Sequence, residues 1–223
     1  VQAALIPVRA LNDAKRRLAA SLAPHEREQL AVAMLADMLD ALLAARTLER
    51  VYVVSSDHAV LECAAHMGAT PLREEHPAGL NAAVAWAAAL LEQGKVRRLL
   101  TIPGDVPLLD TKEVERLLAT DPKLYPVVLV PSASGSGTNA LLTSPPSVIP
   151  PCFEGQSLAA HTAACASKGI VPRVLPLAGF ALDIDTPEDL VSLSRHAGPQ
   201  RSARLNGASG TRAATSTAAI LSR

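Results

Sequence analysis

Arg98-Leu99-Leu100-Thr101-Ile102-Pro103-Gly104-Asp105 is the stretch on which the fold turns. Its first five residues form an apolar run of strand length. Pro103 and Gly104 end that run, and Gly104 lets the backbone turn closely beside Asp105. Outward from it, strand and helix patterns alternate. Toward the N-terminus lie an alanine-rich helix opened by Gly79-Leu80-Asn81 and running to about Glu92, and a short strand at 70–72. Before these come a helix at 58–66 and a strand at 51–55. Residues 26–45 carry the helical stripe Leu30, Met34, Leu35, Met38, Leu39 and Leu42, and 3–8 read as a first buried strand. Toward the C-terminus come a helix at 111–118, strands at 125–130 and 138–142, a helix at 157–167, and extended chain at 171–175. This alternation predicts an α/β domain of three αβα layers around a mostly parallel, Rossmann-like sheet. The stretch 125–182 holds more strands than helices, so an antiparallel edge is expected there.

The chain has 223 residues, enough for one domain with a real core. Residues 1–196 read as that domain. Over 197–223, Gly, Ser, Ala, Thr and Arg dominate without an apolar period, which reads as a low-complexity, disordered tail. Basic and acidic residues balance at 21 each and only 2% of residues are aromatic, which argues against a nucleic-acid partner. No apolar run has the length of a membrane span and no signal peptide is evident, so no membrane partner and a cytoplasmic location are expected. Cys63, Cys152 and Cys165 lack zinc-type spacing and read as reduced core or surface residues.

A second acidic motif, Asp183-Ile184-Asp185-Thr186-Pro187-Glu188-Asp189, stands near the end of the domain. Thr186 to Asp189 make a well-formed helix start, with Thr186 as N-cap, Pro187 in the first turn, and acidic residues at the positive helix end. That leaves Asp183 and Asp185, which an extended backbone turns to one side while Leu182 and Ile184 face the other. If the fold brings them to Asp105, the three carboxylates make a hard-oxygen cradle for Mg2+, equipment for handling phosphates.

In open α/β sheets ligands bind beyond the carboxyl ends of strands. Lys15-Arg16-Arg17 follows the first strand and would sit there, where Lys15 and Arg17 could neutralise a triphosphate. The competing reading is a solvated helix face. Gly79-Leu80-Asn81 puts backbone amides at a helix start, where an anion or base edge can meet them. The segment 135–139 reads as a loop, Ser157 as a helix cap or phosphate-binding hydroxyl, and His161, one turn later, as structural. No phosphate loop with Gly-Lys-Ser or Gly-Lys-Thr is present.

Taken together, these segments resemble the CofC/FbiD family, guanylyltransferases of coenzyme F420 biosynthesis within the larger group that includes molybdenum-cofactor guanylyltransferases. The resemblance rests on Ile6-Pro7-Val8, Leu11-Asn12-Asp13-Ala14-Lys15-Arg16-Arg17-Leu18, Gly79-Leu80-Asn81, Pro103-Gly104-Asp105, Gly137-Thr138-Asn139-Ala140-Leu141-Leu142 and residues 182–190. It implies a nucleotide-diphospho-sugar transferase-like fold and transfer of GMP from GTP to a small phosphorylated three-carbon acid. It further implies pyrophosphate release, hand-over of the product to the F420 phosphate-acid transferase, and a homodimer. Phosphoenolpyruvate is the first expectation for the acceptor, then 2-phospho-L-lactate and 3-phospho-D-glycerate.

Carried over onto this sequence, the resemblance makes Lys15, Arg17 and Asp105 catalytic. It assigns the nucleotide to Pro7, Val8, Lys15, Gly79, Leu80, Asn81, Pro103 and Gly104. The acceptor falls to Thr138, Gly155 and Ser157, and Mg2+ to Asp105, Asp183 and Asp185. Glu154 stands where the family usually has glycine. Three alternatives stay open: a molybdenum-cofactor guanylyltransferase, told apart by its acceptor; a metal-dependent sugar-nucleotide glycosyltransferase, told apart by release of a nucleoside diphosphate; and a nucleotide-binding module without activity.

Overall fold

In the computed structural model, β1 (Gln2–Pro7) sends Ala4 and Ile6 into one apolar layer and Ala3 and Leu5 into another. A strand buried on both faces belongs inside a sheet covered by helices on either side. The structure describes residues 1–196, and the tail read over 197–223 lies outside them. After β1 come α1 (Pro24–Leu43), β2 (Arg50–Ser55), α2 (His58–His66), β3 (Thr70–Arg73), α3 (Leu80–Gln93) and β4 (Arg98–Thr101). Then follow α4 (Thr111–Leu118), β5 (Val127–Pro131), β6 (Thr138–Thr143), α5 (Ser157–Ala166), β7 (Arg173–Val174) and α6 (Pro187–His196). Short 3-10 turns occupy Leu11–Asp13, Arg16–Leu18 and Ala178–Phe180.

The seven strands form one sheet in the order β3-β2-β1-β4-β6-β5-β7. β1 pairs in parallel with β2 and β4, β2 with β3, and β5 with β7. β6 runs antiparallel to both β4 and β5. Antiparallel pairing thus falls in the expected stretch, and within it the reversed strand is β6, lying between β4 and β5. On one face α1, α2 and α4 pack through Leu35, Met38, Leu39, Val60, Val114 and Leu117 against β1, β2, β4, β5 and β6. On the other, Val84, Ala87 and Leu91 of α3 cover β1 and β4, and Cys165 of α5 covers β5 and β6. The three-layer αβα domain is therefore as expected. Among the described residues no helix is long and apolar enough to cross a membrane.

Some boundaries differ from the sequence reading for local reasons. α1 starts two residues before the predicted 26, because the Glu26 carboxylate accepts the Ala23 N–H at 2.7 Å and closes the first turn from Ala23 onward. β5 begins after Pro126, which has no N–H to give a ladder.

The strand order fixes where a ligand can sit. From β1 the chain builds outward through β2 and β3, then returns to place β4 on the other side of β1. The loops leaving β1 and β4 therefore part at their carboxyl ends, which opens a crevice. Pro7-Val8 and Pro103-Gly104-Asp105 lie on its two lips.

Candidate active site

The crevice is a cleft of about 810 Å³. Pro7, Val8, Lys15, Arg17, Leu80, Pro103, Gly104, Asp105, Thr138, Gly155, Ser157, Asp183 and Asp185 all line it. Of the residues singled out from sequence, Gly79 and Asn81 are absent from its wall. Gly79, with φ of 99°, is the N-cap of α3, a conformation that an L side chain rarely adopts. The Asn81 side-chain carbonyl accepts the Phe153 N–H at 2.7 Å. Asn81 thus ties α3 to the 152–157 loop, and Leu80 alone of the three lines the cavity.

Backbone contacts set the lips. The Ile102 N–H donates to the Leu5 carbonyl at 3.0 Å, so β4 holds to β1 up to its last turn. Gly104 then passes so near β1 that an added Cβ would lie 3.1 Å from both the Pro7 carbonyl oxygen and Val8 Cγ2. Glycine is demanded there by close approach. The Ile184 N–H donates to the Asp105 carbonyl at 3.0 Å, which fastens the second acidic motif to the first. The Asp189 carboxylate accepts N–H groups of Asp185 and Thr186 at 3.0 and 2.7 Å and the Thr186 hydroxyl at 2.9 Å. The helix start read from sequence therefore also holds the backbone of Asp185 in place.

Onto this frame Lys15 projects its ammonium. Lys15 Nζ donates to Asp105 Oδ2 at 3.1 Å and to Asp185 Oδ1 at 3.2 Å. Its backbone has φ of 50° and ψ of 43°, the left-handed region that a lysine rarely occupies. Such strain persists only where surrounding contacts hold it, and here the two carboxylates do so. The Lys15 side chain is 10% exposed, against 76% for Arg17, whose guanidinium reaches Asp185 Oδ2 at 3.3 Å. Solvent screens the Arg17 contact, so Lys15 dominates the local electrostatics.

Asp183 lies deeper. Burial holds its carboxyl above the usual carboxylate range, the Asn139 hydrogen bond opposes that rise, and the charges of Asp105 and Asp185 add to it. Asn139 is the buried hub behind it. Its amide donates to Asp183 Oδ1 at 3.1 Å and to the carbonyls of Phe180 and Ala181 at 2.8 and 3.2 Å. The three aspartates thus share one cleft and feel one another's charge. Among the described residues, however, no three His, Cys, Asp or Glu side chains gather into a group that could hold a metal ion as they stand. The position between Asp105 and Asp185 belongs to the Lys15 ammonium. The donor set, three carboxylates that already draw a cation between two of them, fits a hard divalent ion such as magnesium. Its capture would require Lys15 to release the aspartates.

The opposite wall is neutral and rich in hydroxyls. Ser132, Ser134 and Ser136 form a chain of side-chain hydrogen bonds at 3.0 and 2.8 Å. Thr138 and Ser157, both nearly buried, face the cleft at its base. Gly155 takes φ of 62° on the rim, beside the exposed Glu154. Sequence reading did not place Arg9, Asn139 or Asp189 in the site. Asn139 carried a usable signal, an amide side chain directly before the apolar run Ala140-Leu141-Leu142 of β6.

The family described as "Guanylyl transferase CofC like" matches residues 2–205. A phosphoenolpyruvate guanylyltransferase of Sphaerobacter thermophilus is 40% identical over 194 residues, 87% of this chain and 93% of the relative. A 3-phospho-D-glycerate guanylyltransferase of Phenylobacterium zucineum is 36% identical, with 86% and 89% covered. A 2-phospho-L-lactate guanylyltransferase of Methanothermobacter thermautotrophicus is also 36% identical, with 86% and 84% covered. Among solved structures, one assigned to the nucleotide-diphospho-sugar transferases, from Desulfovibrio desulfuricans G20, superposes with a TM-score of 0.73. It is 18% identical and the match covers 99% of this chain and 94% of that one, a likeness of fold.

Proposed function

This chain belongs to the CofC-like guanylyl transferase family, and from that membership we propose that it transfers GMP from GTP to the phosphate of a small three-carbon acid, releasing pyrophosphate. Phosphoenolpyruvate is the proposed acceptor, in keeping with the Sphaerobacter relative; 2-phospho-L-lactate and 3-phospho-D-glycerate are the acids of relatives only slightly less similar. The product, a guanylylated acid, is proposed to feed the phosphate-acid transferase of coenzyme F420 assembly in the cytoplasm.

The observation that carries this reading is the Lys15 ammonium held between Asp105 and Asp185 at the carboxyl ends of β1 and β4. Opposite charges held together at that point support the reading of a site for a polyphosphate and its counter-ion. In the proposed reaction an oxygen of the acceptor phosphate attacks the α-phosphorus of GTP. The new oxygen–phosphorus bond forms as the bond to the bridging oxygen of the β-phosphate breaks, and pyrophosphate leaves with that electron pair. The acceptor is already an anion, so no general base is needed. Lys15 and Arg17 oppose the charge that develops on the leaving group. Gly104 lets the turn before Asp105 pass close to β1, Leu80 borders the nucleotide, and the hydroxyls of Thr138 and Ser157 orient the acceptor phosphate. Asp105, Asp183 and Asp185 would hold magnesium, which when bound screens repulsion between the two phosphate groups.

The test supplies the protein with GTP, magnesium and each acid separately, and measures pyrophosphate release and the mass of the guanylylated product. Pyrophosphate with phosphoenolpyruvate is the expected outcome. No pyrophosphate with any of the three acids would overturn the proposal.

A further inference from the structure

Cys152, His161, Thr138 and Ser157 are joined by a chain of hydrogen bonds that sequence spacing alone does not announce. The backbone N–H of Cys152 donates to His161 Nε2 at 2.9 Å, so Nε2 carries no proton. His161 is fully buried, and burial pushes its pKa down to about 4 against the pull of a backbone hydrogen bond with Ser157. The ring is therefore neutral near pH 7, and a neutral imidazole with a bare Nε2 holds its proton on Nδ1. Nδ1–H faces both the Ser157 carbonyl and Thr138 Oγ1, the latter 3.1 Å away, so Nδ1 has no lone pair for the Thr138 proton and this contact runs from histidine to threonine. The Thr138 N–H in turn donates to Ser157 Oγ at 2.7 Å.

Each hydroxyl oxygen thus accepts one internal hydrogen bond. A hydroxyl has a single proton to donate, and neither can give it back along the bond it accepts. Among the described residues neither proton has a protein acceptor, and both residues line the cleft. Two nearly buried O–H donors with fixed polarity lack only an acceptor atom, and an anion supplies it best. The edge of the ring stacks against Phe153, with centroids 5.0 Å apart, which fixes the imidazole in the plane these bonds require.

We propose that His161 is a positioning residue for the acceptor: by facing Thr138 Oγ1 with a protonated Nδ1 it turns the Thr138 hydroxyl proton toward the cleft, where that hydroxyl and the one of Ser157, itself held by the Thr138 N–H, donate to the anionic group of the bound acid. The inference rests on the reading of Thr138 and Ser157 as the acceptor side of a guanylyltransferase site. It assigns to His161 a proton that never moves, and therefore neither acid nor base chemistry.

The experiment has two arms. Nitrogen-15 NMR of the histidine-labelled protein near pH 7 reads the tautomer, and a protonated Nδ1 with an unprotonated Nε2 is expected for His161. The reverse tautomer would overturn the proposal whatever the enzyme does. Calorimetry then measures phosphoenolpyruvate binding with magnesium and a non-hydrolysable GTP analogue present. His161→Phe and Thr138→Val should each weaken acid binding about tenfold or more, as expected for a lost hydrogen bond to a charged group, with the affinity for the GTP analogue within about twofold. Thr138→Ser and His161→Asn, which retain the hydroxyl and a donor in the Nδ1 position, should recover most of that affinity. Equal loss for acid and nucleotide, or lowered melting temperature with unchanged acid binding, would reduce His161 to a structural residue and overturn the inference. Acid binding that follows this pattern without any pyrophosphate release would leave the inference standing and sink the proposed reaction instead.

Discussion

The amide of Ile184 donates to the carbonyl oxygen of Asp105 at 3.0 Å, and this bond makes one site of two acidic motifs that lie far apart in sequence. Ile184 is itself fully buried with Leu18, Leu30, Met34 and Leu193, so the clamp is anchored in a small apolar cluster beneath α1 and α6. The side chain that follows, Asp185, is thereby presented to Lys15 without relying on its own exposed carboxylate. Ile184→Ala should lower stability by about 2–4 kcal/mol through the cavity it leaves, measured by urea unfolding.

Lys15→Met keeps the length of the side chain and deletes its charge. Asp105 and Asp185 would then face each other without the ammonium that now separates them at 3.1 and 3.2 Å. Steady-state assays should show turnover lower by about two to three orders of magnitude, the scale of removing one preorganised charge from a transition state. Arg17→Met, from an exposed position, should cost much less. Equal losses in the two variants would contradict the electrostatic ranking drawn from their burial.

Asp183→Asn should move activity and stability in opposite directions. The buried carboxyl is held above its usual range by desolvation and by two neighbouring charges. A group whose folded pKa is raised destabilises the fold at pH values above that pKa, and a neutral isostere removes the cost. Asparagine can still accept from Asn139 through its own carbonyl oxygen. Urea unfolding near pH 7 should therefore show unchanged or higher stability, while turnover falls at least about a hundredfold if Asp183 holds the proposed ion.

Gly104→Ala tests the close approach of the two lips. Its Cβ would press on the Pro7 carbonyl and on Val8 Cγ2, each 3.1 Å away. The backbone carbonyl belongs to β1, in the middle of the sheet, and cannot retreat easily. A loss of about 1–3 kcal/mol is expected in chemical unfolding, the usual range for overpacking.

Much of this was legible in sequence for a simple reason: period and punctuation are local. The apolar run at 98–102, its Pro-Gly stop and the stripe from Leu30 to Leu42 announce themselves within a few residues. The reversed direction of β6 does not, because pairing with β4 and β5 is set by contacts remote in the chain. For the same reason Asn139 and Asp189 went unplaced: one is a hub joining β6 to residues 180–183, the other a carboxylate folded back on Asp185. Lys15 was legible as a charge, but not as a strained left-handed residue, since nothing local demands that conformation. Asn81 has a second role that is equally remote in the chain. Its place at a helix start suggests a ligand, and its side-chain carbonyl also accepts the Phe153 N–H, which no local pattern announces.

His161 gives the sharpest dependence on pH. Its pKa falls from an ordinary value of 6.5 to about 4 on folding, because the buried site excludes the charged ring. Between those values the unfolded chain binds a proton that the folded chain refuses, so stability rises with pH across that window. The contribution is fully present above about pH 6.5 and is lost as the pH falls toward about 4, for a total on the order of 3 kcal/mol. Carboxylates titrate in part of the same range, so the comparison must be between variants and not between pH values alone. His161→Asn, which cannot titrate, should remove this slope and leave that of the carboxylates. Urea unfolding of both proteins at about pH 7 and about pH 4.5 should show the wild type losing more stability than the variant, by about 2–3 kcal/mol. An equal loss in the two would mean that the imidazole accepts a proton in the folded protein, and with it the fixed polarity from Cys152 to Thr138 would fail.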